Sequence, residues 1–328
     1  MNTIHNLYRI ALLLFVSTVS LAEPLKVYTY DSFVSEWGPG PQLETLFEAQ
    51  CNCDLEFIGN EDGVSVLNRL RMEGGRTQAD VILGLDNLIL QQALNENLIS
   101  KHQQDLSGLS ASLNWNNEYF VPFDYGYFAW IYDSNKISNP ATSFEELVNS
   151  NATLVYQDPR TSTPGFGLLS WVNQLYPTTS ADMWKKIAQR TETVTPGWWE
   201  AWSLFLNGGS DYVLSYTTSP TYLKVVENSH HIKAAPFAKG HVTQIEVAGV
   251  SAYSDQKALA QEFLAFLISK PAQEVIPVTN WMLPVIDDVD LPPAFGEVIK
   301  TKTITLDSKI VDQDKAGWIK EWRSSVVN

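Results

Sequence analysis

The stretch Tyr119-Phe120-Val121-Pro122-Phe123-Asp124-Tyr125-Gly126-Tyr127-Phe128-Ala129-Trp130-Ile131-Tyr132-Asp133 holds eight aromatic residues in fifteen positions. Pro122 excludes a helix interior and marks the start or edge of a strand. From Tyr125 to Tyr132 the run is mostly aromatic, and Gly126 lets a second backbone or a ligand approach closely. Asn135, Lys136 and Pro140 end it, and the helical pattern of Ser143 to Val148 follows. Two readings fit: a long strand carrying the chain from one lobe into another, or an aromatic core strand within one domain.

Either side of this stretch, strands alternate with helices. Leu25 to Tyr30, Leu55 to Ile58 and Ala79 to Gly84 read as strands. Gln42 to Gln50 and Val64 to Leu70 read as helices, the second with Asp62 or Gly63 at its N-cap. Beyond the aromatic run, Leu154 to Tyr156 is a strand, and a polar loop to Gly165 enters a helix over Phe166 to Leu175. A helix opening at Trp198 ends near Gly208-Gly209, and the strand Tyr212 to Ser215 runs on through Tyr216 to Tyr222. Ile245 to Val250 reads as a second crossing strand and Ala258 to Ile268 as an amphipathic helix. Val278 to Val285 reads as extended, with a last helix near Asp312 to Ser325. This alternation predicts an α/β fold with largely parallel sheets.

The first 22 residues read as a targeting segment, with Arg9 ahead of an apolar stretch and a small-x-small site at Ser20-Leu21-Ala22. Removing 22 from the 328 residues leaves 306, more than one core usually serves, so two lobes are expected. The formal net charge of −15 becomes −16 without Arg9. So acidic a chain is a poor partner for nucleic acid or an anionic membrane. Cys51 and Cys53, the only cysteines, either form a small ring or stay reduced, and no second pair supports a zinc site. His230, His231 and His241 make only a weak metal candidate, and no catalytic or nucleotide-binding signature occurs.

Lobes joined by more than one crossing strand describe a hinged binder, with its site at the carboxyl ends of strands. The loops there are rich in carboxylates, hydroxyls and aromatics. Trp198, Tyr216 and Trp281 offer faces for a cation or a flat ring. Asp31, Asp62 or Asp124 would supply counter-charge, and Ser162, Thr163 and Thr217 to Ser219 would bond a polar tail or phosphate.

Val27 to Phe33, Trp37 to Pro41, Glu61 to Ser65, Phe120 to Phe128, Gln157 to Gly165, Leu214 to Pro220 and Asn280 to Met282 resemble the thiamine-binding proteins of bacterial ABC transporters. The likeness runs in order over nearly the whole mature chain and includes Cys51-Asn52-Cys53. It implies a two-lobed type II periplasmic-binding-protein fold with hinge crossing strands and a ligand cleft between lobes. One lobe would comprise 23–122 with about 246–285, the other 123–245 with about 286–328. The ligands implied are thiamine, thiamine phosphate and thiamine pyrophosphate. The partners implied are a membrane permease and its ATPase, with the binding protein a periplasmic monomer lacking a cofactor.

Carried over by position, Asp62 and Gly63 match a contact of the first lobe. Ser162 and Thr163 match the residues at the hydroxyethyl or phosphate end. Trp198, Tyr216, Thr217, Thr218 and Ser219 match the wall of the second lobe. Tyr30, Asp31, Tyr222 and Trp281 also fall on matching motifs, and Asp124 is placed on the cleft floor by the crossing strand. Two alternatives stand beside this reading: a thiaminase-like enzyme on a related fold, which would use a cleft cysteine, and an iron-binding transport protein, which would present paired tyrosines.

Overall fold

The computed structural model describes residues 23–326, and the targeting segment expected at 1–22 lies outside them. The chain opens with β1 (Leu25–Tyr28), a short turn of helix α1 (Asp31–Val34) and α2 (Gly40–Cys51). Pro41 sits in the first turn of α2, where its missing N–H has no helical partner to lose. Next come β2 (Leu55–Ile58), α3 (Gly63–Glu73), β3 (Val81–Asp86) and α4 (Leu90–Asn95). Asp62 caps α3, its carboxylate accepting from the Gly63 amide. At the end of α2, Asn52 takes the left-handed conformation (φ 53°) between Cys51 and Cys53, which are joined in a disulfide.

The aromatic run forms β4 (Val121–Asp133), at 13 residues the longest strand among those described. The second half follows as α5 (Phe144–Asn149), β5 (Leu154–Gln157), α6 (Thr163–Leu175), α7 (Ser180–Ala188) and β6 (Thr191–Thr195). After these come α8 (Trp198–Leu206), β7 (Tyr212–Tyr216), α9 (Ser219–Val226) and β8 (Ile232–Ala234). The chain returns through β9 (His241–Val250), α10 (Lys257–Leu267), α11 (Lys270–Thr279) and β10 (Leu283–Pro284). It closes with β11 (Thr303–Ile304) and α12 (Ser308–Val326).

One continuous path, β2-β1-β3-β9-β4-β7-β5-β6, runs through the sheet. Pairing is parallel at both ends, where β1 lies between β2 and β3 and β5 lies between β6 and β7. The middle is antiparallel. β4 pairs with β9 over Val121 to Tyr127, then with β7 over Phe128 to Tyr132, so a single strand passes from one half into the other. Helices cover both faces. Phe33, Phe47, Phe263 and Phe266 fill one face of the first half, and Trp202, Phe205 and Val213 fill the corresponding face of the second. A third cluster, with Trp130, Trp171 and Trp184, runs beneath both halves.

Four local expectations need correction. α6 begins at Thr163, because Pro164 suits the first helical turn, so the polar loop is shorter than it reads. α9 begins at Ser219 with Pro220 in its first turn, where an extended continuation through Tyr222 is expected. Val278 and Thr279 close α11 and do not open a strand, an end disguised by Pro277 inside that helix. The sheets are parallel only at their outer ends. α7 and β6 carried no expectation; β6 alternates threonine with exposed Glu192, as a polar edge strand does.

Candidate functional site

A cavity of about 520 Å³ lies between the halves at the strand ends, a size suited to a small organic molecule. Its wall is mostly aromatic. Trp198 stacks on Trp202 (5.7 Å between centroids, 15° between planes) and donates its indole N–H to Ser215 Oγ at 2.7 Å. That bond and the helical spacing of Trp198 and Trp202 fix the ring against β7. Opposite, Trp281 meets Tyr222 edge-on (5.4 Å) and stacks on Phe295 (6.2 Å, 12°). Trp281 holds φ at 56°, a conformation L-residues rarely adopt. At the mouth, Trp37 of the first half and Trp199 of the second lie 5.1 Å apart, each nearly half exposed.

Five carboxylates also line the cavity: Asp31, Glu61, Asp62, Glu200 and Glu246. No lysine, arginine or histidine lies among the lining residues. Burial raises the Asp31 carboxyl above its ordinary range, helped by nearby Glu200 and Glu61. Burial also raises Asp62, against the hydrogen bonds it accepts from Ser162, Thr163 and Gly63. Glu246 goes up well above its usual range, through burial first and Asp124 second.

Asp62 ties the two halves together. Its Oδ2 accepts from Ser162 Oγ at 2.7 Å, and its Oδ1 accepts from the Thr163 amide at 3.1 Å and Thr163 Oγ1 at 2.9 Å. The carboxylate thus sits at the N-terminus of α6, where backbone dipoles favour an anion. Beside it, the Ser65 amide donates to the Thr161 carbonyl at 3.1 Å. Gly63 makes this approach possible: a Cβ there would fall 2.1 Å from the Gly84 oxygen and 2.7 Å from Thr163 Cγ2.

Of the residues expected at the site, Tyr30, Asp31, Asp62, Thr163, Trp198, Tyr216, Ser219, Tyr222 and Trp281 all line the cavity. Five do not. Gly63 is a packing position, and Ser162 is fully buried as the donor to Asp62. Thr217 is buried with its amide on the Tyr127 carbonyl, and Thr218 donates to Met282 Sδ at 3.9 Å. Asp124 is fully buried behind the wall, where its carboxylate accepts from Asn280.

Sequence reasoning missed Glu246, which stands on the wall where Asp124 was expected. The signal was a lone carboxylate in the apolar strand Ile245 to Val250, since acids are rarely buried without a partner. It also missed Asn280, whose amide reaches Tyr30 Oη at 2.9 Å and Asp124 Oδ2 at 2.6 Å. His241 is buried between the Phe128 carbonyl (2.7 Å from Nδ1) and the Phe237 amide (3.1 Å from Nε2), so it is a packing residue held neutral. Among the described residues no helix is long and apolar enough to cross a membrane.

Residues 30–274 match the family described as bacterial extracellular solute-binding protein. The chain is 49% identical over 319 residues to the thiamine-binding periplasmic protein of Escherichia coli (strain K12), covering 96% of this chain and 97% of that one. Identity to the protein of the same name from Haemophilus influenzae is 41% over 318 residues, covering 94% and 95%. A solved periplasmic thiamin binding protein superposes with a TM-score of 0.90 at 49% identity, covering 92% of this chain and 96% of that one. The ferric binding protein from Campylobacter jejuni superposes at 0.77 with 15% identity, covering 92% and 99%, and shares the fold alone. The chain belongs to the bacterial extracellular solute-binding protein family, with a type II periplasmic-binding fold, and groups there with the thiamine-binding periplasmic proteins.

Proposed function

We propose that this protein captures thiamine and its phosphates in the periplasm and hands them to the permease and ATPase of an ABC importer. The observation that carries the reading is the cavity wall, with aromatic faces and five carboxylates but no basic side chain. Thiamine pairs a quaternary thiazolium with a flat aminopyrimidine, so it needs ring faces, negative charge and hydrogen-bonding edges together. One cation–π contact contributes up to about 2 kcal/mol when desolvated. Nanomolar capture needs roughly −12 kcal/mol, so several contacts must form at once and water must leave.

The likeness to relatives named periplasmic supports export, with 1–22 as the removed leader. Closure would turn the segments 23–122 and about 246–285 against the remainder, about β4 and β9. A thiol-dependent thiamine-degrading activity has no nucleophile here, because the chain's two cysteines are joined to each other. The naming of its relatives as binding proteins supports reading it as a carrier.

Calorimetric titration with thiamine, thiamine phosphate, thiamine pyrophosphate and ferric citrate tests this. Saturable heat with the thiamine compounds and none with ferric citrate is expected, and thiamine recovered after incubation should be intact. Heat with ferric citrate alone, or degraded thiamine, would overturn the reading. Trp198→Ala should weaken thiamine binding by at least about tenfold, because it removes a ring held by Trp202 and Ser215. Affinity unchanged in the same titration would remove Trp198 from the site.

A further inference from the structure

Glu246 and Asp124 are direct partners across the antiparallel β4–β9 pair. Glu246 is 5% exposed and lines the cavity, whereas Asp124 is 0% exposed and lies behind it. Like charges directly opposite on neighbouring strands repel. Burial makes that repulsion harder to screen.

Among the described residues, no lysine, arginine or histidine bonds to either carboxylate. Every bond they accept comes from a neutral group. Glu246 accepts from Tyr30 Oη at 2.7 Å and Gln244 Nε2 at 3.1 Å. Asp124 Oδ2 accepts from Asn280, and its Oδ1 is buried with no partner. The titratable groups facing the pair from other elements are Tyr30 after β1, Asp62 capping α3, Asp86 ending β3 and Tyr216 ending β7. None is a cation.

We propose that the Glu246–Asp124 pair is the charge-selecting element of the cavity: it holds a proton while the cavity is empty and releases that proton to solvent when an organic cation lies against Glu246. This deepens the thiamine reading and rests on it. The pair places a deeply buried charge beside the aromatic faces, so a neutral ring of the same shape is bound without that electrostatic partner. Burial pushes Asp124 up to about 7 against the bond from Asn280, and raises Glu246 well above its ordinary range. Two acids paired and buried in this way titrate as one coupled system.

The sign follows by linkage. A bound cation lowers the proton affinity of the pair, so the complex holds fewer protons than the empty protein. Affinity for thiamine therefore rises with pH until the empty pair is itself deprotonated, by at most about tenfold per pH unit for one proton.

Calorimetry of thiamine binding in two buffers of different ionisation enthalpy, near pH ~7, counts the protons exchanged. The wild type should release close to one proton per thiamine, and Glu246→Gln or Asp124→Asn almost none. An analogue with a neutral thiophene in place of the thiazolium should displace no proton from the wild type. Thiamine binding to the wild type without proton release overturns the inference and leaves the thiamine reading standing. Release undiminished in a folded Glu246→Gln or Asp124→Asn variant overturns it equally. No heat with thiamine in either buffer overturns both.

Discussion

Asp62→Ala should lower the affinity for thiamine by about a hundredfold or more, with most of the loss in a faster dissociation rate. The carboxylate accepts three hydrogen bonds from Ser162 and Thr163 across the cavity mouth and a fourth from the Gly63 amide. Hydrogen bonds to a charged group contribute about 1.5–3 kcal/mol each. The cross-cavity bonds exist only when the halves are together, so their loss weakens the closed complex specifically. Even one or two of them, at about 3 kcal/mol in total, correspond to more than a hundredfold in affinity. Association changes less, because the open form meets the ligand before these bonds form.

The same substitution removes the N-cap of α3, at about 0.5–2 kcal/mol of stability. That cost appears in thermal melting of the unliganded protein and can be separated from the binding effect. Asp62→Asn keeps one acceptor oxygen and should fall between the two. Stopped-flow displacement gives the dissociation rate, and small-angle scattering at saturating thiamine should show a more open molecule for Asp62→Ala. A dissociation rate equal to that of the wild type would show that Asp62 does not hold the closed form.

Trp281→Gly should weaken thiamine binding by about thirtyfold, the equivalent of the roughly 2 kcal/mol available to a desolvated cation–π contact. Backbone and ring can be told apart at this position. Trp281 holds φ at 56°, which costs an L-residue roughly 1 kcal/mol or more and glycine almost nothing. Trp281→Gly and Trp281→Ala remove the same ring, so their affinities should fall together. The alanine variant alone keeps the backbone cost and should melt at a lower temperature. Wild-type affinity in the glycine variant would take Trp281 out of the site, and equal melting temperatures would mean that the backbone carries no strain there.

That the aromatic run is a strand was legible because its composition is extreme; that it crosses between the halves is seen only in its pairing with β9 and then β7. Six rings around a proline and a glycine leave few options for Val121 to Asp133 other than a strand, and a strand forms there. The cap at Asp62 and the rings at Trp198, Tyr216 and Trp281 were legible because loop chemistry at strand ends is local. Asp124 and Glu246 were not, because which of these paired acids reaches the cavity depends on what packs over each, and Asn280, which bonds to Asp124, lies far along the chain. Trp37 and Trp199 were missed for a related reason. They lie in different halves of the chain, and nothing in either neighbourhood signals the other. α11 was hidden by its own Pro277, a residue that usually ends a helix.

The pairing of β3 with β9 also bears on how the chain acquires its shape. Val81 lies opposite Val250, and Val121 opposite Ala248. The sheet of the first half therefore lacks a neighbouring strand until most of the polypeptide has emerged. Loop closure over such separations is slow, and an unpaired apolar edge invites association with other chains. Refolding from denaturant should thus be slowed by substitutions that weaken the β3–β9 contact more than by equal destabilisation within β5 and β6, where pairing is sequence-local.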